Sequence, residues 1–548
     1  MNRPNENSDL DKSHFANYRK KQGLRVKIWN KRFDYRHQNF LFYLLIAVSI
    51  AVRFPHVFKE LSPYQFCDEV MWLNEVQRMV SENSFIPKNF LSGSLAIVPA
   101  FVASQLAKLI IGRNLDANEL TIVTRIVLIQ GSVIGAAFVY RKILRLLLKN
   151  EWIVIGGIAI LLLNPSSLAF SLYWYPDHYI LFPAIFFYYT IISAIVNRKS
   201  GISQWILIGV AWAILVSTKY TTLLAGVMLI PVLIAGGKNF SLQVSSFRIL
   251  RKATIVFVTF SMSFLVLNYG VIFHPRKFVG QFLYNLSNYG RFKGGIQPLV
   301  FYLYTMLISP FGLVSLSLLV VGVVFVFKLN KLVGWSLISF PVLLVISLSR
   351  SGFTISRNVA VLLPITSIFL ICGLQEVLSI AKKQARLLRS LIFIFVAFSL
   401  SFPLIETIAQ IQKSLKQDSR VLASRWISGN IPGNSTIGNN ESCSGASPVE
   451  TAGLKSTRDP MMELQLDFYV FNSFWGSPLY RHYESDSDQR YFHFHRFLID
   501  SEGNLRYSGF PLFRQHFDIA DLTPKNYFVQ RIFDGDGPSI VILRRLSD

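Results

Sequence analysis

Two neighbouring carboxylates, Asp68 and Glu69, stand in the segment "FCDEVMWLNEV" soon after the first long apolar segment of the chain. Asp and Glu are common at the start of a helix, where they compensate the helix dipole. The apolar neighbours of this pair would also raise the basicity of a carboxylate, which suits a general base. Helix capping and acid–base chemistry therefore both remain open from the position alone.

A second acidic residue, Asp177, is followed by His178 and stands after "YWYP", at the start of the apolar stretch "YILFPAIFFYYT". Aromatic residues at a membrane boundary commonly act as interfacial anchors, and this explains the Trp and Tyr residues. Two carboxylates that come close together would instead form a site of the kind that sugar chemistry requires.

Basic residues form a third candidate group. The segment 274–295, "HPRKFVGQFLYNLSNYGRFKGG", contains five of them, and three more stand near apolar segments. They are His274, Arg276, Lys277, Arg291 and Lys293, followed by Lys219, Arg350 and Arg357. Binding of a lipid phosphate or pyrophosphate is one interpretation, and contact with anionic membrane lipid is the other. For Lys219, a side chain that reaches from a helix end toward the interface is the simpler interpretation.

Other chemistries have no sequence signature in this chain. There is no phosphate-binding Gly-rich loop, no Cys/His metal pattern and no Ser/His/Asp arrangement. The three cysteines (Cys67, Cys372 and Cys443) lack the spacing of metal ligands, and the sequence does not require a disulfide. We therefore expect no metal, no cofactor and no direct use of a nucleotide.

The composition indicates a polytopic membrane protein. Of the 548 residues, 52% are hydrophobic and 16% are charged, and the mean hydropathy is +0.40. A soluble domain carries more charge and lacks repeated apolar runs of spanning length. The net charge of +24 could indicate nucleic acid, but Lys and Arg cluster beside apolar segments, as expected of residues that set topology. We therefore expect no nucleic-acid partner.

Eleven apolar segments are predicted to span the membrane. They are 39–57, 121–140, 152–172, 178–197, 203–218, 221–236, 253–272, 299–327, 333–349, 358–379 and 390–410. Another apolar run, 94–111, contains Pro99 and Lys108 and suits a helix that lies in the interface or packs against the bundle. If it spanned, the following basic loops would move outside, and sixteen Lys and Arg residues would break the positive-inside rule.

This map divides the chain into three parts. Residues 1–38 carry ten Lys and Arg residues and are predicted to be cytoplasmic. Residues 39–410 form the transmembrane part, with 58–120 as one large outer loop that contains a juxtamembrane helix. Residues 411–548 are predicted to be an extracytoplasmic α/β domain, because a helix, a turn and strands can be read within it. Both acidic segments then face the outside, and any chemistry takes place there.

Several segments, in this order, resemble the GT-C superfamily of polytopic glycosyltransferases. The similarity is greatest to the clan of protein O-mannosyltransferases and lipid A aminoarabinose transferases, and it covers roughly 39–430. The segments that carry it are "FCDEVMWLNEVQRMV", "IPKNFLSGSLAIVPAFVASQL", "TRIVLIQGSVIGAAFVYRKI", "NPSSLAFSLYWYPDHYILFPAIFFYYT", "GVAWAILVSTKYTTLLAGVMLIPVLI", "HPRKFVGQF…GGIQPLVFYLYTMLISPFG" and "SRNVAVLLPI". No single motif is specific, and the resemblance depends on their order.

The resemblance implies a transferase that moves a sugar from a polyprenyl-phosphate-linked donor to an acceptor hydroxyl, without a metal. The acceptor would be a lipid, a polysaccharide or a protein. By motif position, Asp68 would activate the acceptor, and Glu69 and Asp177 would position the substrates. The remaining residues fall into two groups. Arg291, Lys293, Arg350 and Arg357 would hold the donor phosphate, and His178, Lys219, Lys88 and Arg125 would contact substrate. Lys88–Asn89 departs from the His-Pro or Lys-Pro common in relatives.

The implied location is a multi-pass protein of the bacterial inner membrane, with a cytoplasmic N-terminus and a site that faces the periplasm. A transporter or flippase for lipid-linked saccharides is the first alternative function. Transporters usually place polar groups at the midplane, whereas here the ionisable residues gather at one face. A polymerase is the second alternative, but it would be expected to have its large outer loop late in the chain.

Overall fold

A computed structural model describes the membrane part of the chain almost completely and the C-terminal region in pieces. The described residues are 36–58, 61, 67–91, 93–169, 174, 176–197, 201–234, 246–290, 295–351, 356–439, 448–455, 466–472, 496–499, 505–508, 527–533 and 540–545.

Helices make up nearly all of the membrane part. Those before residue 200 are α1 (Arg36–Val57), α2 (Cys67–Ser81), α3 (Val98–Ile111), α4 (Ala117–Thr124), α5 (Gly131–Leu147), α6 (Glu151–Leu162), α7 (Pro165–Ala169), α8 (Pro176–Tyr179) and α9 (Leu181–Asn197). Those that follow are α10 (Ile202–Thr218), α11 (Leu229–Ile234), α12 (Ser246–Leu267), α13 (Gly270–Phe273), α14 (Pro275–Gly290), α15 (Ile296–Leu307), α16 (Ser315–Leu329), α17 (Lys331–Ser351), α18 (Leu363–Ala381) and α19 (Arg386–Ser414). Three 3₁₀ segments (Ser94–Ala96, Tyr220–Met228 and Ser356–Leu362) and a π-helical segment (Arg125–Gln130) complete the set.

The helix lengths confirm the predicted polytopic class. By length and composition, 7 of the described helical segments could cross a bilayer, and six apolar helices are shorter. Several predicted spans are divided in the structure, among them 152–172, which forms α6 and α7. Residues 299–327 form two helices, α15 and α16, because the connection contains Pro310, which has no N–H to continue a helix, and Gly312 at φ +80°.

Specific side-chain contacts fix the relative direction of the helices. Arg141 Nη2 donates to Asn39 Oδ1 at 2.8 Å, and Arg125 Nη1 donates to the His56 carbonyl at 3.0 Å, so α1 and α5 are antiparallel. Lys252 lies over the Trp205 ring at 4.9 Å, and Asn268 Nδ2 donates to Ser217 Oγ at 2.6 Å. Helices α10 and α12 are therefore parallel. We call the end of the bundle at which Arg125, Asp177, Lys219 and Asn268 lie the site end.

Helix α3 packs beside a part of the structure that extends beyond α1. Arg125 contacts the carbonyl of His56 at the end of α1. The eight residues of α4, which directly precede Arg125 in the same helical segment, therefore extend beyond the end of α1. Asp116 caps α4, since its Oδ1 accepts from the Glu119 N–H at 2.9 Å and Glu119 Oε2 accepts from the Asp116 N–H at 3.0 Å. A short link joins α3 to α4, and the two helices pack together. By length and composition the segment Ser94–Ile111 is one of the seven that could cross a bilayer, so the juxtamembrane helix and the single outer loop 58–120 both remain predictions.

The described residues after 411 combine helices with a mixed sheet. Helices α20 (Ser419–Asn430) and α21 (Pro448–Thr451) accompany strands β1 (Ile437–Asn439), β2 (Phe468–Asn472), β3 (Arg496–Ile499), β4 (Leu505–Ser508), β5 (Tyr527–Phe533) and β6 (Ile540–Arg545). The four-stranded sheet has the order β1-β2-β6-β5, and only β1 and β2 are parallel among its pairs. Ala423 and Ile427 of α20 share a core with Ile542. The α/β character of the whole of 411–548 stays a prediction, because 473–495 and 509–526 lie outside the described residues.

Candidate active site

Glu69 forms a fully buried ion pair with Arg125. Arg125 Nε lies 2.9 Å from Glu69 Oε1 and Nη2 lies 2.6 Å from Oε2, and both side chains have 0% exposure. The third nitrogen, Nη1, donates to the carbonyls of His56 and Val57 at 3.0 and 3.3 Å. Arg125 also begins the π-helical segment, and such segments are rare and often occur at functional sites. The pair therefore joins α2 to the ends of α1 and α4.

Trp174 connects this ion pair to the second acidic segment. Its backbone N–H donates to Glu69 Oε1, and its Nε1 donates to the Ala96 carbonyl at 2.8 Å. The Trp174 side chain has 0% exposure and packs in a core with Trp72 and Phe101. Because Asp177 follows three residues later, the contact holds the start of α2 and the start of α8 in one local assembly.

Asp177 lies in a cluster of cationic and amide groups. Its Oδ1 accepts from Lys219 Nζ, which also donates to Asn358 Oδ1 at 3.0 Å. Arg357 Nε is 3.7 Å from Asp177 Oδ2, and this oxygen accepts no hydrogen bond within the described part of the chain. The side chain of Asp177 is 2% exposed, whereas those of Lys219 and Arg357 are 12% and 16% exposed. One carboxylate oxygen is thus held, and the other faces a cation that can still reach solvent.

Three elements place these residues. Asp177 lies in the short helix α8, whose Tyr179 carbonyl accepts from Ser132 Oγ of α5 at 2.7 Å. Lys219 is the residue at which α10 ends and a 3₁₀ segment starts, so its side chain leaves the helix at the site end. Arg357 and Asn358 open the 3₁₀ segment that leads into α18. All three lie near the beginning or the end of a helical segment, and there the side chains converge.

Glu75 organises the loop that follows α2. Its carboxylate accepts from Arg78, at 2.8 Å between Nη2 and Oε1, and from the backbone N–H groups of Lys88 and Asn89. Burial alone would raise the pKa of Glu75, but these hydrogen bonds and the Arg78 charge outweigh it and lower the pKa below the ordinary 4.5. The Lys88 Nζ lies 3.1 Å from Glu82 Oε2 and is partly exposed. Lys88 therefore forms a surface ion pair, and its contact with substrate stays a prediction.

The other predicted site residues are described only in part. Asp68 lies in the first turn of α2 and His178 lies in α8, and their side chains are outside the described residues. Arg291 and Lys293 are also outside them. Arg350 is exposed near the end of α17. Among the described residues, no three His, Cys, Asp or Glu side chains come together as metal ligands would.

Sequence reasoning did not assign a role to three residues that shape the site. Trp174 uses its backbone N–H, Asn358 binds Lys219, and Asn268 accepts from the Ser94 N–H at 2.9 Å while it donates to Ser217. The sequence signal for Asn268 is a polar amide inside the predicted span 253–272. Trp174 was interpreted as an aromatic interfacial anchor, and its residue type does not indicate a hydrogen bond from its backbone N–H.

No protein-family model matches this chain, and no curated protein matches it in sequence. Its fold is nevertheless similar to that of the archaeal oligosaccharyltransferase AglB from Archaeoglobus fulgidus, in a complex with an inhibitory peptide and a dolichol-phosphate. That match has a TM-score of 0.50 and 11% identity, and it covers 89% of this chain and 76% of AglB. The resemblance to the GT-C glycosyltransferases is thereby confirmed at the level of the fold.

Two further solved structures are similar to the chain. ArnT from Cupriavidus metallidurans, bound to undecaprenyl phosphate, matches with a TM-score of 0.48 and 10% identity, over 91% of this chain and 97% of ArnT. The protein O-mannosyltransferase Pmt1-Pmt2 complex of S. cerevisiae, bound to the sugar donor, matches with a TM-score of 0.35 and 15% identity. That match covers 44% of this chain and 34% of the other.

Proposed function

We propose that this protein is an integral-membrane glycosyltransferase. It moves a sugar from a polyprenyl-phosphate-linked donor to an acceptor hydroxyl at the extracytoplasmic face, in cell-envelope glycolipid, polysaccharide or protein glycosylation. The observation that carries the proposal is the contact of Glu69 with Trp174, which brings the acidic start of α2 next to the Asp177 cluster. The dolichol-phosphate in the AglB complex belongs to the same chemical class as the donor proposed here.

The chemistry of the reaction assigns different tasks to the two acidic segments. Sugar transfer from a phosphate passes through an oxocarbenium-like state, in which the bond between C1 and the phosphate oxygen breaks as the acceptor oxygen bonds to C1. Asp68 takes the proton of the acceptor hydroxyl as the general base. The departing phosphate gains negative charge, and Arg357 stabilises it, together with Arg291, Lys293 and Arg350.

The remaining site residues position these groups. Glu69 has both oxygens bound to Arg125 and Trp174, so it holds the first turn of α2, which carries Asp68, in a fixed place. Asp177 orients Lys219 and lies beside Arg357. His178 and Lys88 are proposed to contact substrate at the edge of this site.

The test is transfer by purified protein in proteoliposomes. Mass spectrometry of co-purified lipid first identifies the polyprenyl-phosphate sugar, which is then supplied in labelled form. Asp68→Asn is expected to abolish transfer and to leave thermal unfolding and donor binding close to those of the unchanged protein. Glu450→Gln, at an exposed position of α21, removes a carboxylate outside this site and serves as the control. Near-normal transfer by Asp68→Asn would remove Asp68 as the base and with it this assignment of the site.

The predicted orientation has a separate test. A Gly290→Cys variant should react with a membrane-impermeant thiol reagent in intact cells or spheroplasts, and an Arg145→Cys variant should react only after lysis. Variants of a chain without its native cysteines give the clean comparison. The reverse pattern of labelling would place the site end in the cytoplasm.

A further inference from the structure

Helix α12 packs on α10 along one face, where the Trp212 and Phe260 ring centroids are 4.2 Å apart, and the rest of its apolar surface is exposed. In its candidate span Phe247–Leu267, the mean hydropathy is 1.7 and only 6% of residues are buried. A helix of 21 residues is about 31 Å long, which matches the thickness of the bilayer core. Such a surface faces lipid tails, so the residues directly after α12 lie where the headgroup region begins.

The segment after α12 is fixed to the bundle along one face. Asn268 is hydrogen-bonded to Ser217 and to the Ser94 N–H, and the N–H of Phe90 donates to Gln281 Oε1 at 2.6 Å. Gly270 lies so close to the Pro87 carbonyl that a Cβ would be 2.7 Å from its oxygen. Phe278 and Phe282 of α14 complete this face against the Tyr220 ring, with ring centroids 5.8 and 5.9 Å away.

The opposite face of this segment is open and combines apolar with basic side chains. Ile272 and Phe273 are each 59% exposed, which continues the apolar surface of α12 past its end. Arg276 and Lys277 follow within one turn and are exposed, and Val279 and Leu283 are 50% and 55% exposed. Aliphatic and aromatic groups next to two cations form the pattern of a helix that lies in the membrane interface.

The charge on this part of the chain is uniformly positive. No Asp or Glu occurs anywhere between Asp177 and Glu376. The cations at the end of α12 therefore lack an acidic residue close in sequence, and they stand on a face directed away from the bundle. Within the described part of the chain neither Arg276 nor Lys277 forms an ion pair, so this face can accept anionic groups from a lipid.

We infer that α13 and the first turns of α14 bind the headgroups of anionic bilayer lipids, with Arg276 and Lys277 as the phosphate-contacting residues. The exposed apolar side chains of Ile272, Phe273 and Val279 insert between the adjacent acyl chains. This lipid site lies on the outer surface of the bundle and is separate from the Asp177 cluster. It explains the basic residues of 274–277 without a role in sugar transfer.

A site-specific measurement of lipid preference tests this inference. Gly280 is exposed, and a Cβ there would have nothing within 4 Å, so Gly280→Cys can carry a fluorophore. The full chain, with Cys67→Ser, Cys372→Ala and Cys443→Ser, is placed in phosphatidylcholine bilayers. Quenching is then compared for phosphatidylglycerol and phosphatidylcholine that carry a nitroxide near the headgroup. The ratio gives the relative association of the two lipids at this position.

The expected result is a preference for phosphatidylglycerol that falls by about fivefold for each charge removed, as in Arg276→Gln and Lys277→Gln. Arg276→Lys with Lys277→Arg should keep the preference. Lys382→Gln with Lys383→Gln removes two exposed charges elsewhere and should leave it unchanged. Equal quenching by both lipids in the unchanged segment would overturn the inference, and so would an absence of quenching, which places the segment away from the bilayer.

Discussion

Glu69 and Asp177 are both buried carboxylates paired with cations at the same end of the bundle, yet their surroundings differ. Both oxygens of Glu69 are bound, to a fully buried Arg125 and to the Trp174 N–H. Asp177 has one oxygen bound to Lys219 and a second without a hydrogen bond among the described residues, and its cations reach solvent. An ion pair whose hydrogen-bonding atoms are all satisfied and buried stabilises the structure. A carboxylate with one unbound oxygen, beside cations that reach solvent, can exchange its partners when a substrate binds.

The two sites also differ in the consequence of removing one charge by substitution. The charges of a completely buried pair depend on each other, because neither can be hydrated when its partner is lost. Near Asp177, Lys219 has a second partner in the Asn358 amide, and both Lys219 and Arg357 have some access to water. We therefore expect substitution at the first pair to act on folding and substitution at the second to act on transfer.

The largest effect is expected from Arg125→Gln. It leaves the Glu69 carboxylate buried with its main partner gone, which costs about 3–5 kcal/mol of unfolding free energy. Thermal unfolding in detergent should show a large drop in Tm. Arg145→Gln, in an exposed ion pair with Glu151, is the matched control and should cost at most about 1 kcal/mol. The double variant Glu69→Gln with Arg125→Gln should recover part of the loss, and an unchanged Tm in Arg125→Gln would contradict a structural role.

Asp177→Asn should affect transfer more than stability. The amide keeps the shape of the side chain but no longer neutralises the charges of Lys219 and Arg357. These two cations are then held in different positions when the donor phosphate binds. We expect the transfer rate to fall by about 100-fold, with a smaller change in Tm than Arg125→Gln produces. Donor dependence of the rate, in the form of kcat and KM, provides the measurement, and Asp177→Glu should restore part of the activity. If Asp177→Asn unfolds the protein as Arg125→Gln is expected to, the contrast between the two sites does not hold.

The sequence predicted the membrane class, the helix that begins at the acidic pair and the position of Lys219 at a helix end. These features follow from local patterns: apolar runs of spanning length, acids in a first turn and a charged residue where an apolar run stops. The link through Trp174 could not be predicted, because a backbone N–H donor leaves no mark on residue type. The division of 299–327 into α15 and α16 was missed because two short apolar helices and one long helix have the same hydropathy.

Glu75 provides an intermediate case on the same helix as Glu69. It is 9% exposed and accepts from Arg78 and from two backbone N–H groups, so it is saturated like Glu69 but lies closer to water. Because these donors lower its pKa, its contribution to stability is present above the pKa of the unfolded chain and is lost as the pH falls through the folded value. Glu75→Gln should therefore lower the unfolding free energy by about 1–2 kcal/mol at pH 7, a smaller cost than that of Arg125→Gln. The difference in unfolding free energy between the variant and the unchanged protein should disappear as the pH is lowered below 4.5. Tm recorded across this range measures this difference, and a difference that does not depend on pH would show that the carboxylate charge of Glu75 does not hold the 84–91 loop.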